Sequence, residues 1–145
     1  MKTIFLAISV CLYSTSKAHF LPSPVDTIDF WHVFYNNKLV KQYNGYHFGN
    51  PLVIKTDSIK PQDSITVKYF RDTPCADCDS YLIIEYPFLN KTFIAHGTYT
   101  FYPLTLSLAN LKNVEKAKSI RQLFEVYYVE ASNNYKIKLF DIKLE

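Results

Sequence analysis

The sequence predicts an all-β fold in which two antiparallel sheets pack face to face, of immunoglobulin-like general form, with eight or nine short strands. Twelve Tyr and eleven Phe stand against only three Gly in 145 residues, and aromatic side chains suit the pleated, half-buried surface of strands. Turn signals separate the apolar runs at intervals of about eight to twelve residues, which is typical of β-sandwiches. Strands and helices do not alternate regularly, so the pattern excludes a parallel nucleotide-binding sheet.

The first eighteen residues have the three-part layout of a secretory signal peptide. Lys2 gives a positive start, an apolar run covers Ile4 to Tyr13, and small residues precede a cut after Ala18. The run is too short to cross a bilayer, which takes about 20 apolar residues. We therefore expect cleavage after Ala18, a single mature domain at residues 19–145, and export to the extracellular space or the periplasm, with no membrane span.

The charge balance argues against nucleic acid as a partner. The whole chain carries 16 basic and 13 acidic residues, a formal net charge of +3. Lys2 and Lys17 lie in the expected signal peptide, and their loss lowers the net charge by two. Binding to nucleic acid relies on a basic excess that releases counterions from the phosphates, and the mature chain has almost none.

The first predicted strand is an aromatic segment, Asp29 to Tyr35. Asn36-Asn37 predicts a hairpin turn after it, because asparagine tolerates positive φ, and Lys38 to Tyr43 is the returning strand. Asn44-Gly45 predicts a second turn, and Pro51 to Lys55 predicts a short third strand.

Four further strands are predicted in the middle of the chain. Ser64 to Phe70 shows the clearest alternation, with Ile65, Val67 and Tyr69 on one side, as expected when one side of a strand is buried. The remaining segments are Tyr81 to Tyr86, Lys91 to His96 and Tyr99 to Leu108. Pro103 in the last segment argues for an edge strand or a bend, because proline cannot donate a ladder hydrogen bond.

The C-terminal part of the chain predicts a helix followed by a hairpin. Asn110 to Gln122 repeats apolar residues about every third position among good helix formers, which favours a short helix or helical turn. Leu123 to Glu130 and Tyr135 to Leu144 then form the hairpin. In the last strand the inward-facing series changes phase between Leu139 and Phe140, and such a shift needs one extra residue. We therefore predict a β-bulge at that point.

Cys75 and Cys78 are the two cysteines that remain once Cys11 leaves with the signal peptide. In an oxidising compartment such a close pair is expected to form a disulfide that stiffens the loop between two strands. A thiol–disulfide redox protein, with Cys75 as nucleophile and Cys78 as resolving thiol, is the first alternative. Redox motifs of this spacing begin a helix and lower a thiol pKa, whereas here a strand follows and three aspartates surround the pair.

Aromatic residues near the first two strands form the candidate ligand site. Trp31, Tyr43, Tyr46, His47 and Phe48 lie close together in sequence, and the last three lie in a loop between two glycines. Exposed aromatic rings can stack on sugars or pack on peptides, and loops on a rigid scaffold carry binding more often than strands do. The alternative is that these rings belong to the core, where aromatic residues are common.

His19 supports a second alternative, a copper-binding protein. A cut after Ala18 makes His19 the mature N-terminus, where its α-amine and imidazole could chelate copper together with His32, His47 or His96. The chain resembles secreted copper proteins with β-sandwich folds at this residue alone. No other metal site is predicted from the spacing of potential ligands.

Motifs of catalysis are missing from the sequence, which has no Gly-x-Ser-x-Gly elbow and no calcium-loop spacing. We therefore predict no catalytic residue and no cofactor. The expected role is a non-catalytic structural or binding module, whose partner is a protein or a cell-surface glycan. Asn90-Lys91-Thr92 is a glycan acceptor triplet in an exported eukaryotic protein.

Overall fold

A computed structural model of the chain describes residues 29–46, 49–85, 92–116, 123–132 and 135–145. The expected signal peptide, His19, His47, Phe48 and Asn90 lie outside these ranges, so the predictions that concern them stay predictions. The strands are β1 (Phe30–Tyr35), β2 (Lys38–Asn44), β3 (Leu52–Ile54), β4 (Ser64–Phe70), β5 (Ser80–Glu85), β6 (Thr92–Gly97), β7 (Leu104–Ser107), β8 (Leu123–Glu130) and β9 (Tyr135–Leu144). One α-helix, α1 (Leu108–Lys116), and a 3-10 turn, Thr56–Ser58, complete the described elements.

The nine strands form two sheets, which confirms the all-β prediction. One sheet has four strands in the order β2-β1-β4-β7, and the other has five in the order β3-β9-β8-β5-β6. All strand pairs are antiparallel except β3 with β9, which is parallel. The prediction of purely antiparallel sheets is wrong for this pair. A tight turn forces its two strands to be antiparallel, but β3 and β9 are far apart in sequence, so either orientation is open to them.

Apolar side chains from both sheets fill one core. Trp31 and Val33 of β1 and Phe124 and Tyr128 of β8 are fully buried. The ring of Tyr69 stacks on that of Tyr128 with 4.2 Å between centroids, which joins β4 to β8 across the core. Each such side chain contributes about 1.5–3 kcal/mol through burial.

The local predictions that concern turns and bulges are confirmed. Asn36 and Asn37 have φ values of 46° and 66°, which suit the two-residue hairpin turn between β1 and β2. In the C-terminal hairpin, Val126 lies opposite Phe140 whereas Tyr127 lies opposite Lys138. Leu139 is therefore the extra residue of the predicted bulge, and both Leu139 and Phe140 are buried.

The segment from β7 to α1 differs from the prediction in its bounds. The strand expected from Tyr99 covers only Leu104–Ser107, so it begins directly after Pro103. The helix begins at Leu108, two residues earlier than expected, and the Leu108 N–H, which has no acceptor within the helix, donates to the carbonyl oxygen of Asp63 at 2.9 Å. Residues 117–122 of the predicted helix lie outside the described part of the chain.

The Asp63 carboxylate ties the β1–β2 hairpin to the start of β4. It accepts hydrogen bonds from the Lys60 backbone N–H at 2.9 Å, the Asn36 amide at 2.8 Å and the Tyr35 hydroxyl. These bonds, the one from Lys60 foremost, lower the pKa of Asp63 from 3.8 to about 2. The carboxylate therefore stays ionised over the whole neutral and mildly acidic range.

Candidate functional site

Three of the five sequence-predicted ligand residues, Trp31, Tyr43 and Tyr46, lie in the described part of the chain. Trp31 is 0 % exposed and Tyr43 6 % exposed, and their rings stack at 6.0 Å between centroids inside the core. Tyr46 is 73 % exposed and lies at the turn after β2, where its N–H bonds the Asn44 side chain at 3.1 Å. His47 and Phe48 fall outside the described residues.

A different aromatic cluster lies on the outer side of the four-stranded sheet. Side chains alternate along a strand, so burial of Trp31 and Val33 turns the neighbouring residues of β1 outward. They meet outward-facing residues of β4 and of the turn before β7. We call this cluster the aromatic face, and its rings belong to Phe30, His32, Phe34, Phe70 and Phe101.

The rings of the aromatic face touch each other in a continuous series. Phe30 and Phe70 are direct partners across β1 and β4, with 4.7 Å between centroids and 13° between ring planes. Phe101 continues the series at 5.7 Å from Phe70. His32 lies 5.4 Å from Phe70 and 6.4 Å from Phe34.

The short distance between Phe30 and Phe70 shows that their rings stack on each other. Near-parallel rings this close must overlap, because rings lying side by side in one plane are further apart. One flat side of each ring is therefore covered by the other ring.

Few polar groups accompany these rings, and the charged one is a cation. The ammonium of Lys68 lies 5.4 Å above the ring of Phe34, and His32 approaches the amide of Gln42 at 3.4 Å. Among the described residues, no carboxylate forms an ion pair with Lys68. The aromatic face is therefore apolar with a weakly positive character.

Cys75 and Cys78 are both free thiols in this structure, and their sulfur atoms are not within bonding distance, in contrast to the predicted disulfide. The Cys78 thiol is turned into the interior, 2 % exposed, and lies 3.8 Å from the carbonyl oxygen of Cys75. Burial, followed by a side-chain hydrogen bond with Cys75 and the nearby charge of Glu130, raises the pKa of Cys78 to about 11. Cys78 is thus protonated at neutral pH, the opposite of an activated redox thiol.

A buried polar cluster holds the loop that contains the cysteines. Glu130 is fully buried and pairs with the Arg71 guanidinium at 2.9 Å. Its other oxygen accepts hydrogen bonds from Thr100 at 2.8 Å and Tyr128 at 2.9 Å, and Thr100 bonds the backbone of Cys75. Through Glu130 and Thr100 the cluster ties Arg71 and Tyr128 to the cysteine loop and fixes its position.

The described histidines do not assemble a copper site. His32 contacts Gln42 on the aromatic face, and His96 pairs with Asp79 at 2.8 Å on the other sheet. In the ranges that the structure covers, no group of three or more histidine, cysteine or acidic residues could hold a metal ion. The proposed role of His19 lies outside these ranges.

No protein family, curated protein or solved structure matches this chain. Within the described ranges, none of the helices is long and apolar enough to cross a membrane.

The sequence did not predict the aromatic face, and of its five rings only His32 was a candidate, as a copper ligand. The alternation signal was present, because Phe30, His32 and Phe34 occupy every second position of β1. Both sides of this strand are aromatic or apolar, however, so the alternation alone does not tell which side is buried. The burial of Trp31 in the core, where its ring lies against those of Tyr43 and Tyr69, decides it.

Proposed function

We propose that the chain is an exported, non-catalytic binding module of immunoglobulin-like form that docks a protein partner on the aromatic face. Export, cleavage after Ala18 and the immunoglobulin-like form are inferred from the sequence. The single observation that carries the binding role is the continuous series of ring contacts on the outside of the four-stranded sheet.

The aromatic face supports a binding role because its rings keep much of their area in water. Phe30 is 41 % exposed and Phe101 39 % exposed, although they belong to a cluster of touching rings. Single exposed apolar residues are common on soluble proteins, whereas contiguous apolar patches mark interaction sites. Aromatic residues are also the anchors that contribute most to protein–protein interfaces.

The stacked rings favour a protein over a glycan as the partner. Stacking on a sugar uses the flat side of an aromatic ring, and in Phe30 and Phe70 one flat side is already covered by the neighbouring ring. Apolar side chains on the outer side of a sheet can interdigitate with side chains of another protein layer.

The proposal is tested by capture with matched variants. The purified chain, Phe70→Ser and the control Ile94→Ser are immobilised and exposed to extracellular proteins of the source organism. Ile94 is an exposed residue of the other sheet, 60 % accessible. We expect the wild type and Ile94→Ser to capture the same partner in similar amounts. Phe70→Ser should capture at least tenfold less of it, because loss of an interface anchor costs about 2 kcal/mol or more of binding free energy. Circular dichroism checks that both variants fold.

Equal capture by the wild type and a folded Phe70→Ser would show that the aromatic face is not the binding surface. The same three proteins are also applied to a glycan array. Glycan binding that disappears in Phe70→Ser would keep the face as a binding site but replace the protein partner by a carbohydrate.

A further inference from the structure

We infer that the partner contributes an extended acidic segment that adds to β2 as a further strand of the four-stranded sheet. This inference rests on the proposed function, because it names the chemistry of the segment that would lie beside the aromatic face. It is carried by the position of β2, by its bulge and by its lysines.

The first observation is that β2 is an edge strand. It pairs with β1 on one side, and no other described strand pairs with it. Its seven residues make it longer than the other three edge strands, since β6 has six, β7 four and β3 three. The free side of such a strand presents backbone N–H and C=O groups that can pair with an extended peptide.

The second observation is a bulge in β2 that determines on which side of the strand each side chain lies. Lys41 lies opposite Val33 and Leu39 opposite Phe34, so Val40 is an extra residue. Lys38 lies opposite Tyr35. Because Val33 and Tyr35 are two residues apart and share one side of β1, the bulge places Lys38 and Lys41 on the same side as well. Without it, residues three apart would face opposite sides.

The third observation is charge. Lys38 and Lys41 are exposed, and within the described ranges no carboxylate forms an ion pair with either lysine. On the opposite side of β2, Leu39 is 43 % exposed and adjoins Phe34 of the aromatic face. A strand complementary to both sides has acidic residues facing the two lysines and apolar residues facing Leu39, which is an alternating acidic and apolar pattern.

The same lysines argue against a second copy of this chain as the occupant. Antiparallel pairing of two β2 strands would bring lysines of like charge together across the new ladder, which destabilises a sheet pair. Lysine on an edge strand is also a common device against self-association. Repulsion between lysines therefore disfavours pairing of β2 with a second copy of itself. Pairing with a segment of opposite charge is favoured.

The probe for the test is a dye-labelled eight-residue peptide of alternating Glu and Val, and the measurement is fluorescence anisotropy with the purified chain. We expect saturable binding that weakens as salt rises, and no binding of the matching Lys–Val peptide. Lys38→Glu and Lys41→Glu should each weaken binding of the Glu–Val peptide at least tenfold. Lys55→Glu, an exposed lysine beside β3, is the matched control and should bind as the wild type does.

A pair of proline variants tests the backbone pairing itself. Adjacent residues of a strand point their N–H groups to opposite sides, so one of Lys41→Pro and Gln42→Pro removes a donor on the free edge and the other breaks the ladder with β1. Thermal unfolding identifies the variant that keeps the fold, and we expect this variant to bind the peptide at least tenfold more weakly than its reference, which is the wild type for Gln42→Pro and Lys41→Ala for Lys41→Pro. Wild-type binding by the folded proline variant would overturn the inference.

The outcomes separate the inference from the proposed function. If neither peptide binds while Phe70→Ser still loses the captured partner, the edge-strand inference is wrong and the aromatic face stands. The opposite outcome is that the Glu–Val peptide binds with the expected dependence on the two lysines while Phe70→Ser captures the partner as the wild type does. In that case the aromatic face is not the docking surface, and the inference that β2 pairs with an acidic segment is kept.

Discussion

The two outer sides of the molecule are built from the same strand geometry but satisfy their side chains differently. On the four-stranded sheet the aromatic face has rings that touch one another and a lysine, Lys68, without a carboxylate partner among the described residues. On the five-stranded sheet, lysines and carboxylates pair along the surface. We call these pairs the ionic ladder, and they are Lys136–Glu85 at 2.7 Å, Lys138–Glu125 at 2.8 Å, Lys138–Asp141 at 2.9 Å and Lys143–Glu145 at 2.5 Å.

The difference shows on which side charged groups are paired within the protein. Each exposed pair of the ionic ladder contributes only about 0–1 kcal/mol to stability, yet together the pairs partner every lysine and carboxylate of the ladder within the five-stranded sheet. The aromatic face has no such balance, because its apolar area and its positive charge both remain unmatched. The fold needs only the inner side of each sheet, so the outer aromatic side is free to serve another role.

The largest expected effect contrasts the two sides of a single strand. Trp31→Ala should lower the free energy of unfolding by about 3–5 kcal/mol, because it empties a fully buried site in the core. Phe30→Ala, one residue away, removes only a surface ring pair and should cost about 0.5–1.5 kcal/mol. Urea denaturation of both variants measures the difference.

A loss of stability in Phe30→Ala as large as that in Trp31→Ala would contradict this assignment. It would mean that the aromatic face belongs to the structural core, and the reason to expect a partner there would disappear.

An effect of intermediate size is the loss of stability at acidic pH, which arises from Asp63 next to β4 of the four-stranded sheet. Its pKa is lowered from 3.8 to about 2 in the folded protein, so its ionised form stabilises the fold. This contribution is complete above the unfolded pKa and is lost as the pH falls through the folded value. We expect Asp63→Asn to be less stable than the wild type at about pH 5, and to lose less stability between about pH 5 and pH 2.

The urea concentration at the midpoint of unfolding is measured for the wild type and for Asp63→Asn at both pH values. Equal losses of stability in the two proteins would show that the Asp63 carboxylate does not couple folding to pH.

The smallest expected effect belongs to the ionic ladder. Lys138→Met removes the cation shared by Glu125 and Asp141, and the cost should be about 0.2–1 kcal/mol because the pairs are partly exposed. The difference in stability between Lys138→Met and the wild type should be smaller in about 1 M salt, where charges are screened within about 3 Å. Thermal unfolding with and without salt checks this, and a salt-independent loss would indicate that packing, not charge, is the contribution of Lys138.

Local sequence signals predicted most of the strands because they depend on neighbouring residues. The Asn36-Asn37 turn needs only the tolerance of asparagine for positive φ, and the bulge at Leu139 follows from a phase change within one strand. The parallel pairing of β3 with β9 could not be predicted in this way, since the partners are far apart in sequence and no turn residue records their orientation.

The aromatic face was harder to predict because it depends on which side of β1 is buried. Trp31 and Phe30 are neighbours with similar apolar character, and only the contact of Trp31 with Tyr43 and Tyr69 inside the core distinguishes them. The predicted disulfide between Cys75 and Cys78 is not formed in this structure. Nothing in the spacing of Cys75 and Cys78 shows that the second thiol is turned into the interior beside Glu130.

Site-specific photo-crosslinking tests the central claim, the aromatic face as binding surface, most directly. The photoreactive amino acid p-benzoylphenylalanine replaces either Phe34 on the aromatic face or Ile94 on the five-stranded sheet, and each protein is irradiated with the captured partner. If the aromatic face contacts the partner, we expect a covalent adduct from position 34 and little or none from position 94. An adduct from position 94 with none from position 34 would contradict it.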